Sequence, residues 1–122
     1  MPYSLIWEPK GVYKHFTGVV TGAELLQSVK EIAADERFFS IQYEVSDYLP
    51  AERTEFSQDA LNEVRAVRIG SFMNNPRLKV AIITRDPEIQ QRMASTIAGR
   101  LTMHQTQVFA AVADANGWLG RL

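Results

Sequence analysis

The chain has 122 residues, with 13 basic and 14 acidic side chains, 46% hydrophobic residues and no cysteine. This fits one globular domain of ordinary composition, long enough to bury a core without a metal or disulfide staple. The missing cysteine removes disulfide scaffolds, thiolate metal sites and thiol chemistry, and a net charge of −1 argues against nucleic-acid or anionic-membrane binding by bulk attraction.

The first residues, Met1 to Trp7, lack the basic and apolar regions of a signal peptide. The longest unbroken apolar run, Val108 to Ala113, is too short to span a membrane. A cytoplasmic protein is the expectation.

Tyr3 to Glu8 and Val12 to Thr17 are rich in aromatic and β-branched residues and predict two strands. Glu8-Pro9-Lys10-Gly11 between them suits a type I turn with Gly11 in a left-handed bulge position, so the pair forms a hairpin. Thr21 and Glu24 then have capping-box spacing, with Val20 and Leu25 as the accompanying apolar staple. Leu25, Leu26, Val29, Ile32 and Ala33 share one face of the first helix, which stops near Asp35.

Ile41, Tyr43 and Val45 alternate with Gln42, Glu44 and Ser46 in a third strand ending near Asp47, the polar set facing outward. Tyr48 to Phe56 reads as a polar, acidic loop and the mobile part of the chain. Ser57 caps a second helix that runs to about Asn74, where Pro76 pushes Asn75 out of the helical region. Its apolar face holds Ala60, Leu61, Val64, Val67 and Phe72, with Arg68 inside the same arc as a snorkelling side chain. Ala66, Ile69 and Met73 form a second, smaller apolar patch.

Leu78 to Thr84 is apolar after Lys79, as in a strand buried on both faces of a parallel sheet. Asp86-Pro87-Glu88 opens a third helix, whose buried stripe is Ile89, Met93, Ile97 and Leu101. Gln107 to Val112 gives a last strand, and Asp114 to Leu122 a short final helix with Trp118 and Leu119 inward. The alternation after the hairpin argues an α/β domain over residues 1–122, with a mostly parallel sheet and helices packed on it.

Such sheets bind ligands beyond the carboxyl ends of their strands. Asp47, Thr84, Thr54 and Ser57 fall there, together with Tyr48. Thr21, Ser57 and Asp86 are each accounted for as helix caps. Asp47 shares a strand face with Tyr43 and Val45 and needs a partner there, which makes it the leading site candidate. His15 and His104 show no metal-ligand spacing, and His104, in the turn after the third helix, is expected to be solvated. No phosphate loop, nucleophile elbow or receiver-type acidic pair is present, so no catalytic residue, metal or cofactor is assigned.

Four strings carry a family resemblance: Ile6-Trp7-Glu8-Pro9-Lys10-Gly11-Val12, Phe16-Thr17-Gly18-Val19-Val20-Thr21-Gly22, Tyr43-Glu44-Val45-Ser46-Asp47-Tyr48-Leu49 and Asn75-Pro76-Arg77-Leu78-Lys79-Val80-Ala81. In register they resemble the small bacterial STAS-like proteins of the SpoIIAA-like group, relatives of anti-sigma-factor antagonists. The resemblance implies a mixed sheet with β/α units and a non-enzymatic partner switched by phosphorylation of a serine in an Asp-Ser-Ser-Gly-like motif. That motif is absent: Asp47 is followed by Tyr48-Leu49-Pro50, Glu52 and Glu55 surround Thr54, and Asp59 and Glu63 follow Ser57, so a phosphate there would meet like charges.

The expectation is a non-enzymatic binding or regulatory module for a protein or small-molecule partner, with Asp47, Tyr48, Thr54, Ser57, Thr84 and Arg68 as contact candidates and a homo-oligomer as one form of the chain. The small patch on the second helix reads as a deeply buried helix before it reads as a self-association or ligand surface. Two alternatives stand beside it. One is an enzyme using Asp47 with Thr84 or Ser57. The other is a pocket for an apolar or lipid-like ligand under the second helix, lined by Val64, Phe72 or Met73. Charge is divided along the chain: residues 1–63 carry 5 basic and 11 acidic side chains, and residues 64–122 carry 8 and 3. A basic partner would therefore meet the acidic Glu52 to Glu63 stretch.

Overall fold

The computed structural model describes residues 3–98 and 104–121. In chain order the elements are β1 (Tyr3–Glu8), β2 (Gly11–Phe16), β3 (Gly18–Thr21), α1 (Gly22–Ala34), a short 3-10 turn (Glu36–Phe39), β4 (Tyr43–Asp47), β5 (Ala51–Glu55), α2 (Gln58–Asn74), β6 (Lys79–Ile83), α3 (Pro87–Ala98), β7 (Gln105–Phe109) and α4 (Val112–Leu119). Five strands form the main sheet in the order β1-β2-β4-β6-β7. β1 runs antiparallel to β2 and the remaining pairs are parallel.

Local chemistry starts the helices where the sequence places them. Thr21 accepts from the Glu24 amide while the Glu24 carboxylate accepts from the Thr21 amide, which completes the capping box of α1. Ser57 Oγ accepts from the Ala60 amide to cap α2, and Asp86 Oδ1 accepts from the Glu88 amide at the start of α3.

Alternation along the strands gives the sheet two covered faces. On one face Val12, Phe16, Val80 and Ile82 pack under Leu25, Val29 and Ile32 of α1 and Leu61, Val64 and Val67 of α2. On the other, Tyr13, Tyr43, Val45, Ala81 and Ile83 meet Ala115, Trp118 and Leu119 of α4. Two layers of helix thus enclose the middle of the sheet, the arrangement expected of parallel strands.

Several expectations are corrected. The Tyr48 to Phe56 segment is not a free loop: its β5 pairs in parallel with β3 as a two-stranded ribbon beside the main sheet. Backbone pairing satisfies these polar residues, so a loop-like composition conceals a strand. Gly11 is not a left-handed bulge; it pairs opposite Glu8, and the Tyr43 ring occupies the space a β-carbon would need. Glycine stands there for close approach.

The last strand begins two residues earlier than predicted, at Gln105, and α4 begins at Val112. All five residues of β4 are buried, Glu44 and Ser46 included, because both sheet faces are covered there. Ile89 is buried as expected; of the rest of the stripe predicted for the third helix, the side chains of Met93 and Ile97 and the whole of Leu101 lie outside what the structure describes. Trp118 and Leu119 pack inward as predicted.

Candidate functional site

The strongest electrostatic feature lies under α2. β2 and β4 are adjacent and parallel, which brings Lys14 of one beside Glu44 of the other. Both side chains are fully buried, with Lys14 Nζ 3.0 Å from Glu44 Oε1. Arg68 descends from α2 and grips the same carboxylate with both arms, Nη1 to Oε2 at 2.5 Å and Nη2 to Oε1 at 3.0 Å. Lys14 also donates to Ser28 Oγ at 3.2 Å, and that hydroxyl donates to the Leu25 carbonyl at 2.7 Å.

Burial alone would raise the Glu44 carboxyl, but the charges of Arg68 and Lys14 outweigh it and hold the group below the usual carboxylate range. Burial pulls Lys14 downward against the attraction of Glu44. Arg68 is therefore not a snorkelling side chain; the side chain is 18% exposed and its guanidinium turns inward to a carboxylate.

A second polar group lies on the α4 side. Asp47 ends β4 and uses both oxygens: Oδ2 accepts from Tyr13 OH at 2.6 Å and Oδ1 from the Leu49 amide at 2.9 Å. His15, its register partner on β2, approaches Oδ2 at 3.9 Å and is 37% exposed. Burial, then the bond to Asp47, raises the Tyr13 phenol. Beyond Tyr13, Arg121 stacks on its ring at 4.7 Å and forks onto Glu8 at 2.9 and 2.8 Å. Tyr43 OH also donates to Glu8. The Arg121 bond holds Glu8 below its ordinary value.

The predicted contact residues do not converge on one point. Tyr48 is a core side chain stacked on Phe16 at 4.5 Å, its phenol raised by burial. Thr84 is buried and its hydroxyl accepts from the Asp86 amide at 3.0 Å. Thr54 is half-buried in β5 opposite Val20, and Ser57 is an exposed cap. Asp47 and Arg68 belong to the separate networks just described.

His104 is not solvated: it is 3% exposed, and its Nε2 donates to the Asn75 carbonyl at 3.0 Å. Asn75 in turn donates to the Phe38 and Ile41 carbonyls, so this turn is tied across the fold. Met73 faces solvent at 76% exposure and lines no space under α2, where Val64 packs into the core and Phe72 lies against His104. Among the described residues, no cluster of three or more His, Asp or Glu side chains has metal-holding geometry, and no helix is long and apolar enough to cross a membrane.

Sequence reasoning missed Glu44, Lys14 and the Glu8–Arg121 fork. One signal for the first was available: a charged residue, Arg68, inside the apolar arc of α2 requires a carboxylate beneath it.

No family model and no curated protein matches the chain. Solved structures do. The anti-sigma factor antagonist SpoIIAA in its unphosphorylated form superposes with a TM-score of 0.62 at 8% identity, over 98% of this chain and 99% of that one. An uncharacterized DUF3478-family protein with a SpoIIAA-like fold, from Shewanella loihica PV-4, gives 0.55 at 16% identity, over 96% and 91%. The chain has a SpoIIAA-like fold.

Proposed function

We propose that this chain, a SpoIIAA-like fold throughout its length, is a STAS-type regulatory module that docks a protein partner and catalyses no reaction. The observation that carries this reading is the use of its polar candidates. Asp47, Ser57 and Thr84 spend their hydrogen bonds on neighbouring turns and caps, and Arg68 is bound to Glu44. Supporting it, one of the superposed proteins is by name an anti-sigma factor antagonist.

The docking surface we assign is the acidic one at β5 and the start of α2. Glu52 and Glu55 have side chains 70% and 52% exposed and share Arg53 between them, at 3.7 and 3.2 Å, while Asp59 and Glu63 are exposed beyond them and keep the stretch acidic. Because β5 is paired to β3, these charges stand on fixed backbone, which suits recognition of a basic protein surface.

Native mass spectrometry on the chain isolated from its own cells at low salt tests this. A stoichiometric protein adduct that dissociates as salt is raised, and that Glu52→Lys with Asp59→Lys abolishes, is the expected result. A stoichiometric small molecule in place of a protein, or an adduct indifferent to salt, overturns the reading.

A further inference from the structure

Among the described residues, β1 is the end strand of the main sheet, with β2 as its one strand neighbour. End strands are ordinarily guarded by lysine, proline, a bulge or a covering segment, since their free backbone edge pairs readily with another chain. Tyr3-Ser4-Leu5-Ile6-Trp7-Glu8 contains no lysine or proline and keeps unbroken register with β2. Ile6 is half exposed, and the one charge in the strand, Glu8, is neutralised by Arg121. A groove of about 500 Å³ runs beside it, lined by Tyr3, Leu5 and Trp7 from the strand and by Glu31, Asp35 and Arg37 from the end of α1 and the turn beyond.

We propose that β1 is the docking edge for a second copy of this chain. The two β1 strands run antiparallel about a two-fold axis through Leu5, joining two sheets into one. This inference is separate from the partner surface assigned above.

The strand is matched to itself. Alternation puts Tyr3, Leu5 and Trp7 on the groove side, an aromatic–aliphatic–aromatic series that reads the same in either direction. A two-fold through Leu5 sets Tyr3 opposite the partner's Trp7 twice over, Leu5 opposite the partner's Leu5, and Ile6 opposite the partner's Ser4. Aromatic cross-strand pairs of this kind stabilise antiparallel sheets, and no glutamate faces its own copy.

Charge agrees. Tyr3 OH donates to Glu31 at 3.3 Å, and Arg37, which also forks onto Asp35 of its own chain at 2.9 and 2.8 Å, lies 4.1 Å over the Trp7 ring. Setting Tyr3 against the partner's Trp7 carries Glu31 toward the partner's Arg37, at both ends of the strand pair. A closed, isologous contact results. A foreign strand would find the same backbone edge without this reciprocal set of side chains.

The chain contains no cysteine, so a single introduced thiol reports the contact directly. Opposed residues of an antiparallel pair have Cα atoms about 4.5–5.5 Å apart, within disulfide reach. At tens of micromolar, light scattering should give twice 13.8 kDa for the unmodified chain. Leu5→Cys should become a disulfide dimer under mild oxidation, whereas Met73→Cys, on the exposed apolar patch of α2, should not. Ile6→Lys, at an already exposed site, should return the mass to 13.8 kDa with an unchanged circular dichroism spectrum. A mass of 13.8 kDa for the unmodified chain overturns the proposal. Cross-linking at Met73→Cys but not at Leu5→Cys also overturns it and moves self-association to α2.

Discussion

Arg68 reaches from the middle of α2 to hold both oxygens of Glu44, 24 positions earlier in the chain, and so pins the helix to the centre of the sheet. A two-armed grip fixes direction as well as distance. Removing one member leaves a charge buried without its counterpart. Arg68→Ala should therefore cost about 3–5 kcal/mol in urea unfolding, whereas joint replacement of Lys14, Glu44 and Arg68 by Met, Leu and Met should leave stability equal or higher.

The same carboxylate gives a dependence on acid. Glu44 is held below its unfolded value of 4.5 in the native state, so its stabilising contribution is complete above that value and is lost as pH falls below it. Urea midpoints of the natural chain should fall more steeply between about pH 5 and pH 3 than those of the triple variant, which lacks the carboxyl.

His104 titrates nearer neutrality. Burial, reinforced by the positive charge of Arg68, lowers its pKa from 6.5, so the folded chain keeps it neutral where the unfolded chain is already protonated. Stability is full above 6.5 and declines as pH drops through that value toward the lower folded one. Urea midpoints should fall between about pH 7.5 and pH 5.5, and His104→Gln should flatten that slope.

Two glycines should respond oppositely to alanine. At Gly11 the new methyl would run into the Tyr43 ring, which is itself fixed by its bond to Glu8, so Gly11→Ala should lower stability by about 1–3 kcal/mol. Gly70 lies within α2 with open space around it, and Gly70→Ala should raise stability by up to about 1 kcal/mol. Paired thermal melts decide both.

Asp47→Ala removes the acceptor for the Tyr13 hydroxyl and the Leu49 amide together. A loss of about 1.5–3 kcal/mol is expected, since both bonds end on a carboxylate. Faster amide exchange confined at first to Tyr48 and Leu49 would show that this carboxylate holds the turn after β4.

The residues that were legible in the sequence act over short distances. Thr21 with Glu24, Ser57 with Ala60 and Asp86 with Glu88 close their bonds within a few positions, so composition and spacing reveal them. The alternation of strands and helices likewise needs only local periodicity, and it yielded the α/β class. Glu44 was misplaced because a charge alternating with Tyr43 and Val45 reads as a solvent face. Its burial depends on Lys14 and Arg68, contributed by two other elements. β5 was hidden for the same reason: Ala51-Glu52-Arg53-Thr54-Glu55 has no apolar alternation, and only pairing with β3, some thirty residues earlier, makes it a strand. His104 reads as a surface turn until Asn75, across the fold, supplies its acceptor. In the buried network under α2, Arg68 stood out in the sequence, whereas its partners Glu44 and Lys14 did not.

The β3–β5 ribbon has one further effect. β3 ends at Thr21, the cap of α1, and its register partner Glu55 lies two residues before Ser57, the cap of α2. Both helices therefore leave from a common clamp, with Gly22 packed so closely on Ala60 that a β-carbon on the glycine would have no room. Ser57, at the solvent end of the clamp, thus shares one anchoring ribbon with the first turn of α1.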